Sequence, residues 1–196
     1  QSLMGISEKL SELNWERYRA WIYPASPEIS REAIYTYMGD TYTGLEALTL
    51  SGDDINFAQK TTRILSGLYG VLKPLDLIQH HRLEMGTKLV NESGKNLYEY
   101  WSSSLSKYIS EELKNHNNST IINCASVEYF KSIDVHKLSL HRCTVKIFLK
   151  KMNDSRGTTL LTVCLLLPPH EITGNINNKM RNSCIIFLNT HSDLLL

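Results

Sequence analysis

Residues 65–89 read LSGLYGVLKPLDLIQHHRLEMGTKL, with three glycines, a proline, a tyrosine, two adjacent histidines and three basic residues set between apolar positions. One residue earlier the run opens as ILSGLYGVL. Its β-branched and apolar content predicts a short buried strand entering a glycine turn. Gly67 and Gly70 permit positive φ there, and Lys73-Pro74 ends the element that follows. Backbone amides freed in such a turn can hold a phosphate, and Lys73 and Arg82 are near in sequence to add charge. A tight turn required by packing explains the same residues, so both readings stay open. The spacing fits neither a Walker loop nor a dinucleotide fingerprint.

Outward from this stretch, helices and strands alternate. Leu3, Ile6, Leu10 and Leu13 recur at helical spacing, and Asn14 reads as an interruption before a second short helix, WERYRAW. Ser26-Pro27-Glu28 reads as a helix start, with that helix fading near Gly39-Asp40, although AIYTYMGDTYTG fits a strand equally well. Ser51-Gly52-Asp53-Asp54 offers caps for a helix through about Thr62. Lys95–Asn115, carrying Leu97, Tyr98, Trp101, Leu105, Tyr108, Ile109 and Leu113, is the clearest amphipathic helix. Asn-rich NHNNST closes it, TIINCA follows as a strand, ASVEYFKSI as a helix and LHRCTVKIFL as another strand. The expected class is α/β (mixed α+β): one compact domain of short strands surrounded by helices. From about Lys151 neither period is sustained, which sets 1–150 apart as the domain and 151–196 as a tail.

The chain has 196 residues, 42% apolar and 21% charged, with a formal net charge of +1. That balance excludes a disordered chain and any global attraction to polyanions, so such binding must come from a local patch. Residues 60–90 offer one: Lys60, Arg63, Lys73, Arg82 and Lys88 stand against Asp76 and Glu84. Cys124, Cys143, Cys164 and Cys184 lack zinc or redox spacing, so reduced thiols and a cytoplasmic setting are the expectation, with no metal site and no cofactor. No apolar run reaches the roughly 18 residues that cross a bilayer.

The candidates for acid-base chemistry are His80 or His81 with Glu84 or Glu128. Adjacent histidines in extended chain point to opposite faces, so at most one joins a given site. Asp40, Asp53 and Asp54 are further acids, the last two better explained as helix caps. The N-terminal residues allow a helix-hairpin-helix: a helix to Leu10, a turn through Leu13-Asn14, then Arg17 and Arg19 on a second helix. Such a hairpin meets phosphates through its backbone amides, without reading sequence. An αα-turn packed on the core fits equally.

In order, ISEKLSELN, GDTYTGL, RILSGLYGVLKPLDLIQHHRLEMGTKL, GKNLYEYW and NCASVEYFKSI resemble the YaaA family of bacterial peroxide-stress proteins over about residues 3–140. The resemblance implies a cytoplasmic α/β protein with a positively charged cleft. It implies a role in limiting hydrogen peroxide damage by holding down free iron, together with DNA binding and a helix-hairpin-helix. It supplies no established reaction. Carried onto this chain, the implied DNA contacts are Leu13, Asn14, Arg17 and Arg19 at the hairpin. Gly67, Tyr69, Gly70, Lys73, Arg82, Lys88 and Lys131 follow around the cleft. The alternative is an enzyme of unknown reaction that uses His80, His81, Glu84 or Glu128 on a phosphate-containing substrate in the same cleft. The family's opening strand, with its Ser-Pro-Ala-Lys motif, is expected to precede Gln1. Its basic Lys-x-x-Arg-Gly stretch is echoed only by Arg156-Gly157, and a broken reading frame near Lys150 is expected to explain the tail.

Overall fold

Thr62–Ser66 is the strand expected before the glycine turn, and all five residues are buried. The computed structural model describes residues 2–116, 120–138, 144–147, 151–153, 159–161, 184–189 and 191–194. The first part holds α1 (Glu8–Arg19), β1 (Arg31–Glu32), α2 (Ala33–Thr36), β2 (Tyr37–Met38), α3 (Asp40–Leu45) and α4 (Gly52–Thr61). Then come β3 (Thr62–Ser66), β4 (Gly70–Leu72), β5 (Leu77–Ile78), α5 (Leu97–Lys114), β6 (Thr120–Asn123) and α6 (Val127–Phe130). β7 (Thr144–Ile147), β8 (Lys151–Asn153), β9 (Thr159–Leu161), β10 (Cys184–Asn189) and β11 (His191–Leu194) complete it.

The main sheet has the order β4-β3-β10-β6-β7. β10 runs parallel to both β3 and β6, β7 runs parallel to β6, and β4 turns back antiparallel on β3. Both faces of β3 are covered, which is why its apolar residues Ile64 and Leu65 are adjacent rather than alternating. Successive residues point to opposite faces. Leu65, Ile121 and Phe187 join Leu105, Ile109 and Leu113 of α5 on one side. Ile64, Ile122 and Leu188 join Ala33, Tyr37 and Tyr42 on the other. The α/β class is therefore as the alternation implied. No helix among the described residues is long and apolar enough to cross a membrane.

Caps set the helix limits where the sequence placed them. Ser51 Oγ accepts from Asp54 N at 3.2 Å while Asp54 Oδ2 accepts from Ser51 N at 3.1 Å, a reciprocal cap on α4. Asn96 Oδ1 accepts from Glu99 N at 3.0 Å and starts α5. Elsewhere the structure corrects the reading. α1 is continuous through Asn14, whose Nδ2 donates to Leu10 O at 2.8 Å, so there is no hairpin at Leu10–Asn14. Leu3 lies in a turn before α1 and is exposed, as is Leu10, so the expected apolar face does not form. Ser26-Pro27-Glu28 enters a turn, with Ile29 N donating to Ser26 O, and the helix beyond it is only α2. AIYTYMGDTYTG divides among α2, β2 and α3, so each of the two competing readings holds for part of it. Cys184–Asn189, to which the sequence reading gave no element, forms the middle strand of the sheet. Residues 117–119 of the Asn-rich stretch, Cys143, Cys164, Arg156-Gly157 and residues 148–150 lie outside the described residues.

Two of the opening glycines have separate jobs. Gly70 adopts φ +75°, and a Cβ there would stand 2.7 Å from the Trp101 ring. Gly67 does not use positive φ; a Cβ on it would meet the Leu83 carbonyl oxygen. Trp101 Nε1 donates to Gly67 O at 2.9 Å, so α5 clamps the turn by ring and hydrogen bond together. Gly67→Ala is expected to lower unfolding stability by about 1–3 kcal/mol in urea titrations, because backbone cannot yield as a side chain would. A loss within experimental error would show that the 79–86 segment does not bear on the turn.

Candidate functional site

Parallel strands bring their carboxyl ends to one edge, where α/β proteins place their sites. At that edge Ser66 Oγ accepts from Tyr37 OH at 3.4 Å and from Tyr69 N at 3.3 Å. The segment after β5 crosses the same place, held by Gln79. Its backbone N donates to Tyr69 OH at 3.1 Å, and its side chain exchanges two hydrogen bonds with the backbone of Ile22, at 2.7 and 3.2 Å. Tyr18 OH donates to Arg82 O at 3.0 Å. These bonds tie the end of α1 to the 79–82 segment.

The adjacent histidines separate as extended chain requires. His80 is exposed and His81 is buried, 4% exposed. The His81 ring sits edge-on to Trp21, Tyr37 and Tyr69, with centroids 6.0, 6.3 and 5.2 Å away. Nδ1 lies 2.9 Å from Gln79 O, and beside a carbonyl a neutral ring must donate from that nitrogen, leaving the Nε2 lone pair free. Burial pushes His81 down to about 4, opposed by the Gln79 bond and reinforced by Arg17 and His80.

Positive charge gathers on the adjoining surface. β1 pairs with β5 so that Arg31 faces Ile78, two residues before His80. Burial and then the charges of Arg17 and Arg31 hold His80 below its ordinary value. Arg82 extends the group but is paired with Glu84 at 2.7 Å, which removes Glu84 as an unengaged acid. Glu128 Oε1 accepts from Gly86 N at 2.8 Å and so braces the loop. Lys131 Nζ lies 5.1 Å from the Tyr98 ring centre, while Arg19 and Lys88 are exposed.

Lys73 is elsewhere. Strand β4 carries it back toward the amino end of β3, where Lys73 Nζ is 3.7 Å from Glu112. Trp101 under the turn and Glu112 here are eleven residues apart on α5, a distance of ~16 Å. The single cleft expected from residues 65–89 is thus two regions at opposite ends of one strand. Leu13 and Asn14 belong to neither as backbone donors, because their amides lie inside α1. The sequence reading missed Arg31, Trp21 and the buried pair of Arg63 with Glu112. Arg63 carried a usable signal: a charge inside an apolar strand demands a partner.

Because His81 stays neutral when folded, the unfolded chain takes up its proton first as pH falls. Stability is therefore expected to decline from about pH 6.5 to about 4, by about 3 kcal/mol from this group. Urea unfolding of the protein and of His81→Phe across that window checks it: the variant should lose less stability on acidification. Equal losses would assign the acid sensitivity to other groups.

The family model described as "Peroxide stress protein YaaA" matches residues 1–161. A UPF0246 protein of Hahella chejuensis is 47% identical over 138 residues, covering 70% of this chain and 54% of that protein. UPF0246 proteins of Marinomonas sp. and Idiomarina loihiensis are 51% and 52% identical, over 70% and 67% of this chain and 52% and 51% of theirs. The chain spans about half the length of the curated relatives it matches. With the match extending over most of its length, this chain belongs to the YaaA (UPF0246) family of peroxide stress proteins.

Proposed function

We propose that the chain acts within a peroxide-stress protein that binds DNA through the surface of Arg17, Arg31, His80 and Arg82, protecting DNA while free iron is held low. One observation carries the DNA reading. The charges of Arg17 and Arg31 both bear on His80, and neither arginine has a carboxylate partner among the described residues. Cations crowded in this way repel one another, and a polyanion removes that repulsion. The contact would be to phosphates, hence independent of sequence. The peroxide-stress family supports the choice of DNA, since peroxide damages DNA through iron. Direct iron binding is not part of the proposal: among the described residues no three His, Cys, Asp or Glu side chains converge.

A second reading rests on His81, whose Nε2 is the unprotonated nitrogen of a neutral ring at the carboxyl edge of the sheet. It makes His81 a general base on a phosphate-containing substrate. A turnover assay on nucleotides and damaged DNA tests it, and an unchanged rate in His81→Gln would exclude it.

For the DNA reading, fluorescence anisotropy on duplex and mismatched-bubble DNA across a salt series is the test. Arg17→Ala with Arg31→Ala should weaken binding to all sequences alike and flatten the salt slope by about two, one for each lost phosphate contact. Lys73→Ala should leave the affinity unchanged, because it stands at the other end of β3. Unchanged binding in the double variant would overturn the proposal.

A further inference from the structure

At the amino end of β3 a pocket of about 390 Å³ is lined by Gln59, Lys60, Arg63, Lys73, Glu112 and Asn115, among others. Both α4 and α5 end here, and helix carboxyl ends ordinarily leave open acceptors that favour cations. Several of these acceptors are already engaged. Thr61 Oγ1 donates to Phe57 O, Thr62 N to Ala58 O, and Arg63 Nη1 to Gln59 O. Asn115 N donates to Glu112 O and His116 N to Leu113 O. The cations around the pocket therefore do more than close two helices.

The donors, by contrast, are left over. The Arg63 side chain is 2% exposed, and its Nε has no hydrogen-bond partner. Gln59 uses Oε1 to accept from Leu75 N at 2.8 Å, and its side-chain nitrogen has no partner among the described residues. The same holds for Lys60 Nζ and for the side chain of Asn115. Charge is equally lopsided. Lys60, Arg63 and Lys73 face one carboxylate, Glu112, which is divided between Arg63 and Lys73. Asp76 stands close by, but its carboxylate accepts the Lys73 backbone amide at 2.8 Å. Burial raises Glu112, yet the hydrogen bond and charge of Arg63, with Lys73 and His116, hold it below the ordinary carboxylate range. Burial and then the Arg63 charge, opposed by Glu112, hold His116 below its ordinary value.

Three cations and two uncommitted amides around one pocket form a site complementary to a compact anion with several oxygens. The geometry points to a binding site for one phosphate group in this pocket, carried by inorganic phosphate or by a phosphomonoester. Lys73 and Lys60 would meet its oxygens, while the Arg63 guanidinium in the pocket wall adds positive charge. The site is ~16 Å from the turn under Trp101, so it stands or falls apart from the DNA surface.

Calorimetric titration of the purified chain at constant ionic strength tests this, using sodium phosphate, adenosine monophosphate and adenosine. The expected result is saturable one-to-one binding of phosphate, with adenosine silent. Tighter binding of the nucleotide would identify a phosphomonoester as the source, and phosphate binding without nucleotide binding would identify free phosphate. Lys73→Ala and Lys60→Ala, both outside the buried core, should each weaken phosphate about tenfold while the thermal midpoint without phosphate stays put. Lys131→Ala should change nothing. Glu112→Gln, which removes the competing carboxylate, should bind phosphate more tightly and gain more thermal protection from it. Absence of saturable binding up to about 10 mM, or an affinity unchanged from the parent protein in both lysine variants, would overturn the proposal.

Discussion

Burial of β3 on both faces is the constraint from which the described structure follows. A strand with no exposed face must have α5 on one side and the α2–α3 region on the other. It must also place Arg63, the one charge in its sequence, where a partner can reach it. Glu112, about four turns along α5 from Leu97, meets that need, and Gln59 and Thr62 carbonyls take up another of the guanidinium nitrogens. A buried ion pair contributes little net stability, since desolvation offsets most of the attraction, but removing either partner leaves an uncompensated charge. The pair therefore fixes how α5 lies along β3 more than it strengthens the contact.

The same strand divides the chemistry. Its carboxyl end leads into the glycine turn, and there aromatic rings close around His81 with cations on the outer surface. Its amino end opens on the Arg63 pocket. Two positively charged regions are thus held at a fixed distance by a rigid, doubly covered strand. Neither can drift toward the other without disturbing the core.

Local chemistry made much of this legible. The strand before Gly67, the Ser51 cap and the face of α5 each follow from a few neighbouring residues, and each forms. What failed was partly local and mostly non-local. Asn14 reads as a helix interrupter because its side chain competes for backbone, yet the side chain turns inward, bonds Leu10 O and stays in α1. β10 was invisible because CIIFLN resembles any apolar run until β3 and β6 are present to flank it. The cleft failed for a related reason. Lys73 and Arg82 are nine residues apart in sequence, but the β3–β4 hairpin reverses the chain between the turn and Lys73. Charge density along a sequence does not survive a hairpin as charge density in space.

That reversal decides how the two cationic regions should be understood. Residues 65–89 resemble one functional block because they are continuous and rich in turn-formers and cations. The hairpin instead sends Lys73 down to Glu112, while the segment after β5 returns to the carboxyl edge and delivers His80, His81 and Arg82 there. One stretch of chain therefore furnishes both ends of the sheet. Its glycines serve the packing that makes this possible: Gly70 under Trp101, and Gly67 against the Leu83 carbonyl. The interleaving of turn-formers, cations and apolar anchors is explained by a chain that must cross the same doubly covered strand repeatedly and expose charge only at its two ends.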